Sequence, residues 1–383
     1  MGMLRTLYAI SVVFAHSDWH DHFVFVGGRN AVELFYIISG FLISYILNHN
    51  PAYKNTGRFY ASRFFRIFPL YYAVAGLTLL AVVAAGTHFF RLYHQVPWPA
   101  VVLLVGGNLL IFGQDLVMFA TVRAGRLHFF HDVHRTDYPL FQGLLLPQAW
   151  TLGLELTFYA VAPFIVRRTR LLGALLVLSL GCKLLLYATG RGDVDPWSYR
   201  FLPAELLFFV LGALSERLLL PRWQRWLARR TRPDFICRLG TYLLVLASLG
   251  YFLVPLPEQA KAPALFLLFT GLLPLAFLYQ GFTPFDRRLG ELSYPIYIGH
   301  ILVVWTSLFI EKGRAPHPLA FALIHVAGAV AFAWLLNRVI GDRVERWRAR
   351  FRSPAGATGT RGPRAAAASA LPGVATEGPP PAS

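Results

Sequence analysis

Long apolar stretches separated by short polar segments recur along almost the whole chain. Most hold about 17 to 23 residues with few charges, which is the length that a helix needs to cross a bilayer. We predict spanning helices at residues 4–20, 31–48, 67–86, 149–166, 171–188, 200–219, 237–254, 262–281, 291–311 and 318–340. The pattern therefore predicts an all-α fold, a polytopic transmembrane helical bundle with about 10 spanning helices.

Lysine and arginine indicate how these spans are oriented. They cluster within residues 54–66, 167–170, 217–238, 287–288 and 338–352. Cytoplasmic loops of membrane proteins carry an excess of such residues. We therefore expect all these clusters, and both termini, on the cytoplasmic side of the cell (inner or plasma) membrane.

One further apolar run, at about residues 98–119, does not fit this alternation. If it crossed the bilayer, residues 167–170 and every later basic cluster would lie outside. The stretch that follows it, TVRAGRLHFFHDVHRTDYPL, is too polar to cross back. We therefore predict that residues 98–148 form a re-entrant segment, which is tolerated where the backbone is buried in protein or lines a cavity.

Composition supports a membrane protein and argues against a nucleic-acid-binding one. The chain is 56% hydrophobic and 14% charged, whereas soluble domains carry about 25% charged residues. The net charge of +17 comes from clusters between apolar blocks, so the expected partner is the lipid bilayer and not nucleic acid. Residues 346–383 are rich in Pro, Ala and Gly, and we predict a disordered cytoplasmic tail after a membrane-embedded domain of residues 1–345.

Arg5 and His16 lie inside the first apolar stretch, where ionisable groups are costly. Eleven residues separate them, so on a helix both project from one face, about 16 Å apart along the axis. One interpretation is a snorkelling arginine and a histidine bonded to a neighbouring helix. The other is a ligand channel in which His16 accepts a proton from a hydroxyl group.

The stretch RFYASRFFRIFPLYY carries Arg58, Arg63 and Arg66 just before the third span. Arg63 and Arg66 are three residues apart and share a helical face. Positive-inside bias alone would explain them. The guanidinium group of arginine also binds phosphate through two parallel hydrogen bonds. A cytoplasmic ligand with several phosphates therefore fits here.

Two later apolar helices also carry polar side chains. Glu155 lies in AWTLGLELTFYA and needs either a partner there or a protonated state. Ser293, Tyr297 and His300 fall on one face of GELSYPIYIGH. A helix-to-helix hydrogen bond is the alternative explanation for each of these groups.

Two histidine-rich tracts, HSDWHDH and HFFHDVH, raise the question of a metal. Such tracts can bind zinc. Neither has a cysteine partner or a clear ligand set, and we expect no metal site.

These stretches occur in the same order in the acyltransferase 3 family of integral-membrane O-acyltransferases, which the chain resembles. LRTLYAISVVFAH is similar to the family's pattern of Arg, ten residues, then His. NAVELFYIISGFLIS resembles its Gly-Val-Asp-Leu-Phe-Phe-x-x-Ser-Gly-Phe-Leu block, and RFFRIFPLYY its Arg-x-x-Arg-Ile-x-Pro element. WTLGLELTFY and ELSYPIYIGH resemble the Trp-Ser-Leu-x-x-Glu-x-x-Phe-Tyr and Ser-Tyr-x-x-Tyr-x-x-His elements.

The resemblance implies transfer of an acetyl or other short acyl group from acyl-CoA to a hydroxyl of a carbohydrate or glycolipid acceptor. No tightly bound cofactor is expected, because acyl-CoA is a co-substrate. By the resemblance the catalytic residues are His16, Arg5 and Glu155, and the donor's phosphates would contact Arg58, Arg63 and Arg66. The substrate-binding residues would be Glu33, Ser39, Trp150, Tyr297 and His300.

The chain departs from the family pattern in several places. The lead-in before Arg5 is short, so the natural start could lie upstream. Glu33 stands where the pattern has Asp, and Thr151 where it has Ser. The other function class that fits the spans is a transporter or flippase of a glycan or small solute, although no inverted repeat or pair of broken helices supports it.

Overall fold

The computed structural model describes residues 1–17, 24–87, 89–130, 132, 139–310 and 317–352. Helices dominate it, because a helix satisfies its own backbone hydrogen bonds inside a bilayer. They are α1 (Gly2–Ala15), α2 (Gly27–His49), α3 (Thr56–Ala84), α4 (Phe89–Gln95), α5 (Trp98–Leu110), α6 (Gln114–Val117), α7 (Trp150–Ile165), α8 (Thr169–Ala188), α9 (Leu202–Leu214), α10 (Leu220–Leu227), α11 (Pro233–Gly250), α12 (Glu258–Phe282), α13 (Pro284–Ile310), α14 (Pro318–Leu336) and α15 (Asp342–Arg352).

Every predicted span coincides with a helix, which confirms the helical membrane bundle. In the described part of the chain, six helical stretches are long and apolar enough to cross a membrane: Gly27–His49, Thr56–Ala84, Thr169–Ala188, Pro233–Leu253, Glu258–Gly281 and Pro318–Trp347. The remaining predicted spans correspond to α1, α7, α9 and α13. The chain is thus a multi-pass membrane protein.

The region predicted to be re-entrant folds differently from its neighbours. The 13 residues of α5 extend only about 20 Å, which is less than the roughly 30 Å of a bilayer core. After α6 the chain forms an antiparallel hairpin of β1 (Ala120–Arg123) and β2 (Arg126–Phe129), which the all-α prediction did not include. Ala124 and Gly125 join the strands with φ angles of 48° and 71°, as two-residue hairpin turns require.

The helices alternate in direction, so the bundle has two distinct ends. At the end that we call the basic end, Met1 pairs with Asp286 at 3.0 Å, and the Arg167 guanidinium donates to the carbonyl of Leu47 at 3.2 Å. Helix α15 packs there against α3. The basic clusters therefore gather at one end, as the expected alternation requires.

At the opposite end of the bundle, side-chain hydrogen bonds link the ends of the helices to the connections between them. The Arg29 guanidinium donates to the Tyr187 hydroxyl at 3.2 Å and to the carbonyl of Ser198 at 3.0 Å. Asn30 donates to Glu258 at 2.7 Å. The start of α2 is thus tied to the α8–α9 and α11–α12 connections.

Helix α2 lies at the centre of the bundle and crosses α9 at close range. A Cβ atom on Gly40 would lie 1.9 Å from the carbonyl oxygen of Phe209, and one on Gly212 would lie 1.9 Å from that of Ile37. Only glycine permits this approach. The contact holds α2 in a single position relative to the helices around it.

The C-terminal prediction differs from the structure in one respect. Helix α15 continues to Arg352, beyond the boundary predicted at residue 345. The helix packs along α3, where the Trp347 ring lies 6.0 Å from the ring of Phe65. Residues 353–383, which form most of the predicted tail, lie outside the described residues.

Candidate active site

A cavity lies inside the bundle between α1, α2, α3, α7 and α13. Its empty volume is about 790 Å³, including the open space at its rim. Helices α1, α3 and α13 run away from the basic end, whereas α2 and α7 run toward it. The side of the cavity nearer the basic end therefore carries Arg5, Arg63 and Arg66, and we call it the arginine end. The far side carries Tyr36, Thr151 and Tyr297, and we call it the hydroxyl end.

The arginine end holds three positive charges. Arg63 is buried, with its guanidinium 5.8 Å from the centre of the Phe59 ring. Arg5 interacts electrostatically with Arg66, which repels it, and with Glu155, which attracts it. Within the described ranges, the guanidinium group of neither Arg5 nor Arg66 forms an ion pair or hydrogen bond. A ligand with several anionic groups would relieve the repulsion among the three guanidinium groups.

Glu155 brings one negative charge to the same cavity. It lies on α7 and accepts hydrogen bonds from the hydroxyls of Ser39 on α2 and Tyr159 one turn along α7. These bonds compensate a carboxylate that would otherwise be costly in an apolar helix. Glu155 thereby has the partners that its position requires, and it partly balances Arg5 and Arg66.

Hydrogen bonds join α7 to α13 at the hydroxyl end. The Tyr297 hydroxyl lies 2.7 Å from that of Thr151 and donates to the carbonyl of Gln148 at 3.0 Å. The Gln148 amide donates to the carbonyl of Ile298 at 2.7 Å. Thr151 keeps the hydroxyl of the serine in the family pattern, and in this chain that hydroxyl contacts Tyr297.

His16 and His300 lie one layer beyond the hydroxyl end. The His300 ring is 5.9 Å from the ring of Tyr297 and 4.9 Å from that of His16. His16 Nδ1 lies 2.9 Å from the carbonyl of Val12. A carbonyl oxygen can only accept, so Nδ1 carries the proton and the neutral ring keeps a lone pair on Nε2. Since His16 is also exposed, Nε2 suits a base.

The position of His16 within its helix differs from the prediction. The sequence places it deep inside a span over residues 4–20, whereas α1 ends at Ala15 and His16 caps it. The physical reason is that side chains hydrogen-bond to carbonyl oxygens of the last turn. His16 Nδ1 bonds to the carbonyl of Val12, and the Ser17 hydroxyl donates to the carbonyl of Phe14 at 2.7 Å. His16 therefore lies near the end of the bundle that is opposite the basic end.

A half-buried arginine from the α8–α9 connection acts on His16 of this histidine pair. Arg200 binds Asp195 through two hydrogen bonds of 2.6 and 2.8 Å, and its guanidinium lies 4.5 Å from the centre of the Trp150 ring. Burial would lower the pKa of Arg200, but Tyr199 and Asp195 raise it above its usual value. Arg200 is thus a permanent positive charge that acts on His16.

Glu33 occupies a different environment from the cavity. Lys183 lies 3.0 Å from Glu33 and 2.7 Å from Glu205, and Arg29 lies 3.5 Å from Glu33. This buried ion network joins α2, α8 and α9. The longer arm of Glu33, compared with the Asp of the family pattern, reaches Lys183 there.

The structure brings together about half of the predicted site residues. Those that line the cavity are Arg5, Ser39, Arg63, Arg66, Glu155 and Tyr297. Those that lie outside its lining are His16, Glu33, Arg58, Trp150 and His300. Sequence reasoning missed Tyr36, Tyr159 and Arg200. Of these, only Tyr159 carried a signal, because it lies four residues after Glu155 on the same helical face.

The structure offers little to test the histidine tracts as metal sites. Asp18, His20, Asp21 and His22 lie outside the described residues, as do His131 and His134. Among the residues with described positions, no group of three His, Cys, Asp or Glu side chains could hold a metal ion.

Comparisons with known proteins bear on the whole chain. The family described as Acyltransferase domain matches residues 1–338. Nodulation protein 10 of Rhizobium leguminosarum bv. viciae is 25% identical over 87% of this chain and 89% of its own length. An uncharacterized protein of Aquifex aeolicus (strain VF5) is 22% identical over 53% of this chain and 89% of its own. No solved structure matches the chain.

Proposed function

Because the chain belongs to the Acyltransferase domain family, and so is an acyltransferase embedded in a membrane, we propose its substrates. It moves an acetyl or other short acyl group from acyl-CoA to a hydroxyl of a carbohydrate or glycolipid. The observation that supports this most is a single cavity with guanidinium groups at one end and a histidine layer just beyond the other.

The arginine end suits the charged part of the donor. Coenzyme A carries several phosphate groups, and arginine binds phosphate with paired, charge-assisted hydrogen bonds. Arg5, Arg63 and Arg66 supply three guanidinium groups against the one carboxylate of Glu155. Glu155 is held by the hydroxyls of Ser39 and Tyr159 and offsets part of this positive charge.

Charge also assigns the sides of the membrane. The basic end would face the cytoplasm, because Lys and Arg concentrate on that side, and both termini would lie there. Acyl-CoA is made in the cytoplasm and would enter at the arginine end. The acceptor would arrive from the opposite side, where His16 is exposed.

The reaction then needs one base and no metal. His16 Nε2 takes the proton of the acceptor hydroxyl while its oxygen attacks the thioester carbonyl carbon. A carbon–oxygen bond forms, the carbon–sulfur bond breaks, and the departing thiolate takes the proton back from His16. The alternative route forms an acyl-histidine on the same Nε2 before the acceptor arrives.

The neighbours of His16 support its role as base. The bond from Nδ1 to Val12 holds the ring in the tautomer with a free Nε2. His300 packs against the ring, and Arg200 acts electrostatically on His16, so its positive charge would favour an oxyanion formed beside that ring. Tyr297 lines the cavity and contacts His300, so the donor's thioester and His16 would meet beside these two rings.

Mass spectrometry of surface glycans tests the proposal. Cells carrying the wild-type gene should show ester-linked acyl groups that are absent from cells lacking the gene. Cells with His16→Ala should match the cells lacking the gene, at equal membrane expression of the protein. Full acylation by His16→Ala would overturn the role of His16. Movement of a glycan across the membrane without any acylation would instead favour a transporter.

A further inference from the structure

One hydroxyl group in the cavity differs from all the others there. Seven hydroxyl-bearing side chains line the cavity. Six of them have hydrogen-bond partners within the protein: Ser39, Thr151, Tyr159, Ser293, Tyr294 and Tyr297. The seventh, Tyr36, has no partner for its buried Oη atom among the described residues.

The Tyr36 ring cannot turn this hydroxyl toward water. Its side chain is 3% exposed, and the ring stacks on Phe209 with centroids 4.5 Å apart and planes 25° apart. Phe209 belongs to the close α2–α9 crossing, where its backbone packs directly against Gly40. The ring of Tyr36 therefore has a fixed neighbour. Buried hydroxyls without partners are rare because each loses its hydrogen bonds to water. A fixed one inside a ligand-sized cavity indicates a ligand atom in front of it.

The surroundings of Tyr36 define what that atom is. The hydroxyl is buried, and a phenolate there would be costly without a partner, so Tyr36 keeps its proton and can donate it. The ligand atom is therefore a hydrogen-bond acceptor. Tyr36 lies at the hydroxyl end of the cavity, and the arginines lie at the other end. When the donor's phosphates bind the arginines, its uncharged end lies beside Tyr36.

We propose that Tyr36 Oη donates a hydrogen bond to the carbonyl oxygen of the donor's thioester; this inference rests on the proposed function. When the acceptor oxygen bonds to the carbonyl carbon, the carbonyl π electrons move to that oxygen, which becomes negative. Tyr36 stabilises this charge until the carbon–sulfur bond breaks and the carbonyl re-forms. Tyr36 would then be a catalytic residue, because it touches the reacting group.

The sequence makes this residue testable with a minimal change. Tyr36→Phe removes only the hydroxyl and keeps the ring that stacks on Phe209. Phe is also the residue at the matching position of the family block, so the fold accepts it, and the proposed role of the Tyr36 hydroxyl belongs to this chain and not to the family pattern. Tyr8→Phe is the matched control: its hydroxyl is equally buried, but it bonds to Ser248 at 3.0 Å and lies outside the cavity lining.

Infrared spectroscopy of bound acetyl-CoA reports the hydrogen bond directly. Acetyl-CoA with carbon-13 in its carbonyl group is added to the purified full chain in detergent, and the carbonyl stretch is compared with that of the free thioester. We expect a lower frequency on wild type and on Tyr8→Phe. The frequency should return toward the free value on Tyr36→Phe, while the affinity for acetyl-CoA falls by no more than about tenfold.

Acyl transfer in cells supplies the second readout. Tyr36→Phe should lower the rate of ester formation on surface glycans by about tenfold or more, since loss of one oxyanion donor costs about 10²–10³-fold in other acyl-transfer enzymes. An unchanged carbonyl frequency and an unchanged rate in Tyr36→Phe would overturn the role of Tyr36 alone. A wild-type protein that binds no acetyl-CoA would overturn the donor assignment, and with it this inference.

Discussion

His16 and His300 pack ring against ring with their centroids 4.9 Å apart, and each donates its Nδ1–H to a carbonyl of its own helix. Both rings therefore keep their lone pairs on Nε2. They differ in access, because His16 is exposed whereas His300 is completely buried. The pair thus combines one histidine that an acceptor can reach with one that supports it from inside.

This difference predicts unequal effects of replacing the two residues. His16→Ala should lower the acyl transfer rate by about 10²–10⁴-fold, the usual contribution of a general base. His300→Ala should cost about tenfold, because His16 keeps its own bond to Val12. The rates are measured at saturating acetyl-CoA. His94→Ala, which removes an exposed imidazole on α4, is the control and should have no effect. A larger loss in His300→Ala than in His16→Ala would reverse the assignment.

The arginine end predicts an effect that depends on the donor's phosphates. Arg66→Ala should weaken acetyl-CoA binding by at least about tenfold, because a guanidinium–phosphate contact is lost. The same variant should bind S-acetylpantetheine, which lacks phosphate, as well as wild type does. Arg222→Ala serves as control, since Arg222 is a basic-end arginine outside the cavity. An equal loss of affinity for both donors in Arg66→Ala would show that the phosphates do not bind at Arg66.

Glu155 should contribute to stability through its charge. Glu155→Gln keeps the shape of the side chain but removes the charge that the Ser39 and Tyr159 hydroxyls and the nearby arginines stabilise. We expect a loss of about 1–3 kcal/mol in the free energy of unfolding, measured by thermal denaturation in detergent. Glu291→Gln, at an exposed glutamate on α13, should change it little. A wild-type melting curve for Glu155→Gln would show that the charge is not needed.

The α2–α9 crossing should be intolerant of one extra methyl group. Gly40→Ala places its Cβ against the carbonyl of Phe209, so the helices must separate, at a cost of at least about 1–3 kcal/mol. Gly181→Ala on α8 meets nothing within 4 Å and is the matched control. Folded protein in detergent is measured by size-exclusion chromatography. Equal yields of the two variants would contradict the close crossing.

Hydropathy predicted the helices of this bundle well because the bilayer imposes both their length and their composition. It could not predict where α1 ends, since that depends on hydrogen bonds from His16 and Ser17 to the last turn. The hairpin after α6 was also missed. Its strands are short, and its turn at Ala124 and Gly125 carries little sequence signal.

The candidate site was predicted where a motif places several polar residues on one helical face. Arg63 and Arg66 share a face of α3 and reach the cavity in this way, whereas Ser39 and Glu155 reach it from α2 and α7. Glu33 lies one turn from Tyr36, yet it joins Lys183 in an ion network instead. Which side of a central helix meets a cavity depends on all its neighbours. Tyr36 was missed for the same reason, because a tyrosine among apolar residues of a helix resembles any packed core residue.

The most direct test of the account uses sealed, inverted membrane vesicles whose outer face carries the basic end, supplied with acetyl-CoA radiolabelled in the acetyl group. Wild-type vesicles should accumulate label in membrane glycans as an ester that mild alkali releases, and His16→Ala vesicles with the same amount of protein should stay at background. Equal labelling in His16→Ala vesicles, or none in wild-type vesicles, would contradict the account.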